Sequence, residues 1–315
     1  MSTSVEEISR RRAWLMAARP QTLPAAAAPV VVGTGLAVGR GVVHPLAALA
    51  ALVGAALIQI GTNFANDYYD AVKGADTEDR EGFTRVTQSG LIPPESVKRA
   101  TYLTFAAAIL VGTTLVYVGG LPILIVGLLS IAAGLAYTGG PYPLGYHGLG
   151  DLFVFVFFGV VAVTGTYYVQ AAAVLASPLP LTVPPGTLPP IAVVASLPVA
   201  ALSTDILVVN NIRDMETDAR AGKRTLAVRL GYRWSRVQYV ALLALTYLVP
   251  PALWLVGPAS PAVLLPLVTL PLAAAVARTV CTRTSGDALN PALERTGKLL
   301  AAYAVLFGVG LAVGV

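Results

Sequence analysis

The chain has 315 residues, of which 56% are hydrophobic and only 12% are charged. Soluble domains carry about a quarter charged residues, so this composition excludes an ordinary water-soluble protein and predicts an integral membrane protein. The net charge of +5 does not indicate nucleic acid, because Lys and Arg in a membrane protein first report topology. One cysteine and two histidines exclude an internal disulfide and a multi-cysteine or histidine-rich metal centre.

Apolar runs of about 20 residues, rich in Ala, Leu, Val and Gly, recur along the whole chain. They lack the alternation of barrel strands, so they predict helices. The predicted fold is an all-α, multi-pass transmembrane bundle. It has nine spans, near residues 22–39, 46–69, 100–118, 121–138, 151–175, 191–212, 238–256, 260–281 and 298–315.

The distribution of Lys and Arg supports this count. With a cytosolic amino terminus, 20 of the 21 Lys and Arg residues fall in segments assigned to the cytosol, and only Arg40 does not. This is the pattern that the positive-inside rule predicts. The same topology brings the ends of the second and sixth spans to the same cytosolic depth.

The second span ends in motif one, residues 63–76 (NFANDYYDAVKGAD). On a helix, four of its polar residues share one face: Asn63, Asn66, Asp67 and Asp70. An ionised Asp at the middle of a bilayer costs roughly 2.5–3.5 kcal/mol, so this face needs a compensating partner. The sixth span ends in motif two, residues 210–223 (NNIRDMETDARAGK), which repeats the pattern with Asp214 and Asp218. The two motifs predict a weak internal repeat of a helical unit.

The residue types of the two motifs predict a metal–diphosphate site. Carboxylate and amide oxygens are hard ligands that suit Mg²⁺, which is often held by a few carboxylates together with substrate phosphates. Basic residues beside them can neutralise the remaining phosphate oxygens. These are Lys73, Arg85, Arg213, Lys223 and Arg224. The competing explanation for the basic residues is ordinary solvated loop surface. For the acidic residues it is helix-end solvation or structural ion pairing.

Five segments carry a resemblance to a known family: ARPQTLPAAAAPVVVGTGLA at 18–37, NDYYDAVKGAD at 66–76, VTQSG at 86–90, YTGGPYPLGYHGLGD at 137–151 and RDMETDARAGKRTLAVRLG at 213–231. On these segments the chain resembles the UbiA-type intramembrane prenyltransferases and, within them, the subgroup that prenylates a naphthoate. The resemblance covers almost the whole chain. It implies one domain over residues 1–315, with nine helices around a lateral active-site cavity.

The resemblance also implies site residues. Asn66, Asp70, Asp214 and Asp218 match the family's metal-binding positions, and Asp76 is a further metal candidate whose spacing departs from the superfamily's usual pattern. Lys73, Arg85 and Lys223 match positions that meet the diphosphate or the acidic aromatic substrate. Asp67 is the candidate acid or base. The remaining substrate-binding candidates are Asn63, Tyr69, Tyr137, Tyr142, Arg213 and Arg224.

The activity implied is transfer of a polyprenyl group from its diphosphate to 1,4-dihydroxy-2-naphthoate, with loss of carbon dioxide and with two Mg²⁺ ions bridging the diphosphate. Tyrosines near the site can stabilise an allylic cation by cation–π contact, although an interfacial aromatic belt would also place them there. The expected location is the cell membrane, with the site near the cytosolic face. We expect no nucleic-acid partner and no obligate protein partner.

Other functions stay open from the sequence. A cation-coupled transporter would explain intramembrane acids and a repeat, but not the basic residues beside both motifs. Related prenyltransferases that use 4-hydroxybenzoate, homogentisate or a glyceryl phosphate share the same motifs. A CDP-alcohol phosphotransferase also uses paired Asp motifs, but in one compact segment.

Overall fold

The structure is a computed structural model that describes residues 8–74 and 85–315. Within these ranges every regular element is helical, which confirms the all-α prediction. The α-helices are α1 (Arg10–Ala18), α2 (Leu23–Gly39), α3 (Pro45–Val72), α4 (Pro94–Ala136), α5 (Gly150–Val154), α6 (Ala162–Leu175), α7 (Pro190–Arg213), α8 (Met215–Arg220), α9 (Leu226–Leu255), α10 (Leu270–Thr282) and α11 (Gly286–Gly314). A π-helical stretch, Phe155–Val161, joins α5 to α6, and a 3₁₀ helix, Pro261–Thr269, precedes α10.

Eight helical stretches in the described residues are long and apolar enough to cross a membrane. One of them, α4, has 43 residues and would be roughly 65 Å long if straight, about twice the thickness of a bilayer core. It is not straight, because Gly120 leaves the helical region with φ 63° and ψ −152°. The break divides α4 into two arms, which correspond to the predicted spans 100–118 and 121–138. The count of nine spans and the cytosolic amino terminus stay predictions.

The core of the bundle lies around α7, α2 and α11. Fully buried side chains from these helices meet there, among them Leu36, Val199, Leu202 and Phe307. Helices α2 and α11 cross closely at Gly35, where an added Cβ would lie 2.2 Å from the carbonyl oxygen of Gly308. Small residues at such crossings let helix backbones approach inside a membrane.

Helices α3 and α4 pack along each other at one side of this core and are much less buried than α7. Between them and α2, the π-helical stretch and α6 lies a cavity of about 500 Å³. Its walls are mostly Ala, Gly, Val, Ile, Leu and Phe. Gln59, Thr62 and Tyr137 line one end, near the carboxyl ends of α3 and α4, and Tyr117 and Leu179 line the other. The fold therefore contains an apolar cavity that reaches from the region of motif one to the break in the middle of α4.

Candidate active site

Asp70, in the last turn of α3, is the buried acid on which two distant segments converge. The Nη2 atom of Arg85 donates to its Oδ2 at 2.8 Å. The hydroxyl group of Tyr146 donates a short hydrogen bond to its Oδ1. An ionised carboxylate offers roughly four acceptor positions, so these two contacts hold Asp70 and leave lone pairs for another ligand.

Asp67 is buried one turn earlier on α3, where it holds the turn that follows Arg85. Its Oδ2 accepts from the backbone N of Thr87 at 3.1 Å and from the Thr87 hydroxyl at 2.6 Å. Its Oδ1 lies 3.9 Å from Nη2 of Arg19. These contacts fasten residues 85–90 and the turn between α1 and α2 to motif one.

Asn66 and Lys73 connect motif one to the end of α4. The Thr138 hydroxyl donates to Oδ1 of Asn66 at 2.8 Å. The Lys73 ammonium donates to the carbonyl oxygens of Thr138 at 2.7 Å and Gly140 at 3.0 Å. Partial burial lowers the pKa of Lys73, and the nearby Asp70 carboxylate opposes that shift. The Lys73 side chain is exposed, but its ammonium group is held at the end of α4 and interacts electrostatically with Asp70.

In motif two, Asp214 lies at the end of α7 and is gripped by its sequence neighbour. The Nε and Nη2 atoms of Arg213 donate to its two carboxylate oxygens, both at 2.7 Å. Arg213 also donates to Oδ1 of Asn210 at 2.8 Å and to Oδ1 of Asn290 in α11 at 2.9 Å. This buried fork fixes Asp214 and ties the end of α7 to α11.

Asp218 lies one turn after Asp214, in α8. The backbone N of Lys223 donates to its carbonyl oxygen at 2.9 Å, and Nζ of Lys223 lies 3.7 Å from its Oδ1. Lys223 is itself buried. Motif two thus closes on itself as a tight turn with one acid and one cation at its tip.

Tyr146 joins the two motifs. Its hydroxyl group contacts Asp70 of motif one, while Nζ of Lys223 of motif two lies 4.9 Å from its ring centroid. The backbone N of Arg224 donates to its carbonyl oxygen at 2.8 Å. Lys73 lies on the same ring, 5.5 Å from the centroid. One tyrosine from the segment between α4 and α5 therefore brings acids and cations of both motifs into one cluster.

Tyr137 lies where this cluster meets the cavity. Its side chain lines the cavity, and the carboxylates of Asp70 and Asp218 both act electrostatically on its hydroxyl group. Tyr69 lies nearby, with Nζ of Lys73 6.0 Å from its ring centroid. Tyr137 therefore lies between the charged cluster and the apolar cavity, whereas Tyr69 lies beside Lys73 and is not among the residues that line the cavity.

Three other candidates lie in different surroundings. Asn63 donates from Nδ2 to the Ala18 carbonyl oxygen at 3.0 Å and to the Thr22 hydroxyl at 2.9 Å, so it supports the turn between α1 and α2. Tyr142 is 57% exposed and its ring stacks on His147 at 3.6 Å. The Arg224 side chain is exposed, and it is the backbone of Arg224 that contacts Tyr146. The structure does not bring the side chains of these residues into the cluster.

The donor atoms fit magnesium held with a substrate better than a fixed metal centre. Within the described ranges, no three His, Cys, Asp or Glu side chains come close enough to hold an ion by themselves. Asp76 lies outside the described residues. Magnesium usually keeps waters and takes one or two carboxylates together with phosphate oxygens. The available oxygens of Asn66, Asp70, Asp214 and Asp218 match that pattern.

The sequence offered Tyr146 only as one of several tyrosines that could stabilise a cation, and nothing in its spacing indicates a contact with a residue 76 positions earlier. It did not select several other residues that build the site. Thr87 and Thr138 support acids through contacts that only the fold creates. Gln59 lines the cavity and binds Thr22 through Nε2 at 2.9 Å, while its Oε1 is a buried acceptor without a hydrogen-bond partner in the described part of the chain.

Comparison with known proteins identifies the family. The model of the UbiA prenyltransferase family matches residues 26–312. The chain belongs to the UbiA prenyltransferase family. A 1,4-dihydroxy-2-naphthoate octaprenyltransferase of Mycobacterium tuberculosis is 42% identical over 301 residues, which are 96% of this chain and 97% of the relative. One from Escherichia coli is 41% identical over 97% of each chain. The family predicted from the five segments is confirmed.

More distant members of the UbiA family also match this chain over more than nine tenths of its length, and the solved structures among them share its fold. UbiA prenyltransferase domain-containing protein 1 of Homo sapiens is 31% identical over 95% of this chain and 83% of the relative. A solved UbiA homolog from Archaeoglobus fulgidus, bound to DMAPP and Mg²⁺, has a TM-score of 0.60 at 15% identity and covers 94% of this chain and 99% of its own. A UbiA homolog from Aeropyrum pernix K1 gives a TM-score of 0.61 at 14% identity, over 91% and 96%. At this identity the likeness establishes the fold.

Proposed function

We propose that this protein transfers a polyprenyl group from an allylic polyprenyl diphosphate to 1,4-dihydroxy-2-naphthoate, and releases diphosphate and carbon dioxide. The observation that carries the proposal is the position of Tyr146, which joins Asp70 of motif one to Lys223 of motif two beside an apolar cavity. A charged end and an apolar end suit a donor with a diphosphate head and a long hydrocarbon tail. The naphthoate as acceptor is supported by the octaprenyltransferases to which the chain is similar over nearly its full length.

The charged cluster is proposed to bind the diphosphate. Asp70 and Asp214, with Asn66 and Asp218, are the residues that would hold magnesium, and the Mg²⁺-bound structures of UbiA homologs support this cofactor for the family. When bound, Mg²⁺, for which we propose two ions, would offset the charge of the leaving diphosphate. Asp76 is kept as a further candidate ligand on the basis of the sequence.

The basic residues of this chain would act on the leaving group directly. Lys73 and Lys223 both lie near the ring of Tyr146, and Arg85 is paired with Asp70. Positive groups fixed before the reaction stabilise charge that develops on the diphosphate oxygens without further reorganisation. Arg213 is already committed to Asp214, Asn210 and Asn290, so we assign it to holding motif two in place.

The bond changes balance without a separate base for the ring. The allylic C–O bond breaks and its electron pair leaves with the diphosphate. The ring carbon that carries the carboxylate group forms the new C–C bond, and the carboxylate then leaves that same carbon as carbon dioxide, so the electron pair of the broken C–C bond restores the aromatic ring. Asp67 is held by Thr87 and Arg19, and we assign it to positioning residues 85–90 rather than to proton transfer.

The cavity and the side chains that line it would protect and orient the organic groups. The cavity excludes water from the allylic cation, and the ring of Tyr137 at its charged end can stabilise that cation by cation–π contact, with Tyr69 beside Lys73 as a further candidate. Gln59 lines the same cavity, and its buried Oε1 has no hydrogen-bond partner in the described part of the chain. A hydroxyl group of the dihydroxynaphthoate would satisfy this acceptor, and we propose that Gln59 orients the acceptor ring in this way.

The protein is an integral membrane protein, and we propose the cell membrane as its location. The proposed orientation places the charged cluster at the cytosolic face, because nearly all Lys and Arg residues fall on that side in the nine-span topology. Water-soluble diphosphate and naphthoate would then be exchanged with the cytosol, while the prenyl tail stays in the apolar cavity and the surrounding lipid.

The test is prenyl transfer by the purified full chain in lipid vesicles. Octaprenyl diphosphate and naphthoate labelled in the carboxyl group are supplied with Mg²⁺, and prenylated product and labelled carbon dioxide are measured. We expect equal amounts of both, no reaction with EDTA, and much lower transfer to 4-hydroxybenzoate or homogentisate. Asp70→Asn should lower the rate roughly 10²–10³-fold.

The matched control for Asp70→Asn is Glu294→Gln. Glu294 is exposed on α11, where its carboxylate pairs with Lys298 one turn later at 2.6 Å. It should keep the wild-type rate. Full transfer by Asp70→Asn would contradict the assignment of the site, and preferred transfer to 4-hydroxybenzoate would contradict the acceptor. Cells lacking the protein should lose menaquinone and accumulate 1,4-dihydroxy-2-naphthoate.

A further inference from the structure

The segment between α6 and α7, residues 176–189, closes the end of the cavity that lies away from the two motifs. This segment is rich in Pro and carries no charge. It meets the break in α4, between its two arms, and Leu179 contributes to the cavity wall there together with Tyr117. The second arm of α4 separates this end from Tyr137, a distance of roughly 24 Å for 16 helical residues.

Two backbone hydrogen bonds fasten the segment into the break. The N of Leu179 donates to the carbonyl oxygen of Tyr117 at 2.9 Å, and the N of Leu121 donates to the carbonyl oxygen of Pro180 at 2.9 Å. In a continuous α4 these two α4 groups would instead pair with each other, because the N of Leu121 would donate to the carbonyl oxygen of Tyr117. At Gly120 a Cβ would lie 1.8 Å from the Pro180 oxygen, so only glycine lets the segment come this close.

The backbone of Leu179 is held in a conformation that leucine disfavours. Its φ is 58°, and among the described non-glycine residues only Arg19 shares a positive φ. Left-handed backbone costs an L-amino acid free energy, so the flanking contacts must impose it. The backbone hydrogen bonds of Leu179 and Pro180 to α4 therefore hold the Leu179 side chain at the cavity wall.

We propose that Leu179, together with Tyr117, forms an end wall that limits the length of the prenyl chain the cavity accepts. The inference rests on the proposed function, which places the reacting carbon at the charged end beside Tyr137. The tail must then run toward Leu179 through a cavity of about 500 Å³. A donor whose tail is longer than this path meets the wall and must bend aside, which weakens its binding relative to shorter donors.

The test compares donors of increasing length on the full chain in lipid vesicles. The ratio of kcat/KM for octaprenyl diphosphate to that for geranyl diphosphate is measured for wild type, Leu179→Gly and Leu179→Trp, with farnesyl and geranylgeranyl diphosphate between them. Leu179→Gly should raise the ratio by roughly three- to tenfold, because it opens the wall, and Leu179→Trp should lower it by a similar factor.

The choice of glycine separates a specificity effect from damage to the fold. Glycine adopts the left-handed conformation without strain, so Leu179→Gly should leave the Tm unchanged or raise it. The Leu179 side chain is 57% exposed, so its removal leaves no hole in the packed core. Leu181→Gly is the matched control, since Leu181 belongs to the same segment, is 78% exposed and does not line the cavity.

An unchanged ratio in both Leu179 variants, with transfer to naphthoate intact, would overturn the inference and leave the proposed function standing. A ratio that shifts equally in Leu181→Gly would also overturn it, since the effect would then belong to the loop as a whole. Absence of transfer by the wild type with every donor would overturn the proposed function itself.

Discussion

The two acidic motifs carry the same residue types, but they are held in opposite ways. In motif two, Asp214 is gripped by the adjacent Arg213, and Asp218 faces Lys223 five positions later. In motif one, Asp70 depends on Arg85 and on Tyr146, which are 15 and 76 positions away. Motif two is therefore a preformed unit at the end of α7, whereas motif one is completed by segments that fold over it.

This difference predicts which changes alter stability and which alter the reaction. Residues that hold motif two are buried within the helical core, next to α11. Residues that complete motif one come from connecting segments outside the long helices, which are the parts of a protein that open most easily. Substitutions around motif two should mainly affect unfolding, and substitutions around motif one should mainly affect catalysis.

The largest effect is expected for Arg213→Ala. It leaves the buried Asp214 carboxylate without its bidentate partner and removes the contact with Asn290, and breaking a buried ion pair costs about 3–5 kcal/mol in the free energy of unfolding. Thermal unfolding in detergent measures the change as a lower Tm. Arg224→Ala is the control, because its side chain is exposed, and it should unfold like wild type. Equal stability of Arg213→Ala and wild type would contradict the preformed character of motif two.

A smaller effect, on rate rather than stability, is expected for Tyr146→Phe. The ring stays beneath Lys223, but Asp70 loses a hydrogen bond, so kcat should fall roughly tenfold with little change in Tm. Tyr142→Phe lies four residues earlier on the same segment, where the ring stacks on His147, and should keep the wild-type rate. A Tyr146→Phe enzyme with full kcat would show that motif one does not need this segment.

The smallest effect is expected for Thr87→Val, which removes the hydroxyl donor to Asp67 but keeps the backbone donor. Loss of one of the two hydrogen bonds to this carboxylate oxygen should lower the free energy of unfolding by about 1 kcal/mol, because the backbone donor remains. Thr104→Val is the control, since the Thr104 hydroxyl donates to the Ala100 carbonyl oxygen within its own helix. The two variants are compared by thermal unfolding, and equal Tm values would contradict the role given to Asp67.

The helices and the positions of both motifs were predictable, because they follow from local composition and spacing. The helical face of residues 63–70 predicted that Asp67 and Asp70 would be buried together, and both are. The same spacing placed Asn63 with them, but Asn63 turns to the Ala18 carbonyl oxygen, because α3 also has to support the turn between α1 and α2. Spacing along one helix does not reveal which neighbour each residue of a face will meet.

The closure of the site was not predictable, since it depends on contacts between distant segments. No local pattern joins Tyr146 to Asp70 or Leu179 to Tyr117; each pair meets only after α3, α4 and α6 have packed. The interruption between the predicted spans 100–118 and 121–138 was foreseen, but not the entry of Pro180 into it. The internal repeat stays a prediction, and the different support of the two motifs shows that the halves are not equivalent in their contacts.

The central claim is that both motifs grip one diphosphate, and a double-mutant cycle tests it most directly. Binding of inorganic pyrophosphate with Mg²⁺ is measured by calorimetry for wild type, Asp70→Asn, Asp214→Asn and the double variant. Groups that share one ligand are coupled, so we predict a coupling free energy above about 1 kcal/mol. The double variant should then bind pyrophosphate only slightly less tightly than the single variant that has the lower affinity. Losses that add to within about 0.5 kcal/mol would mean two independent sites and would contradict the claim.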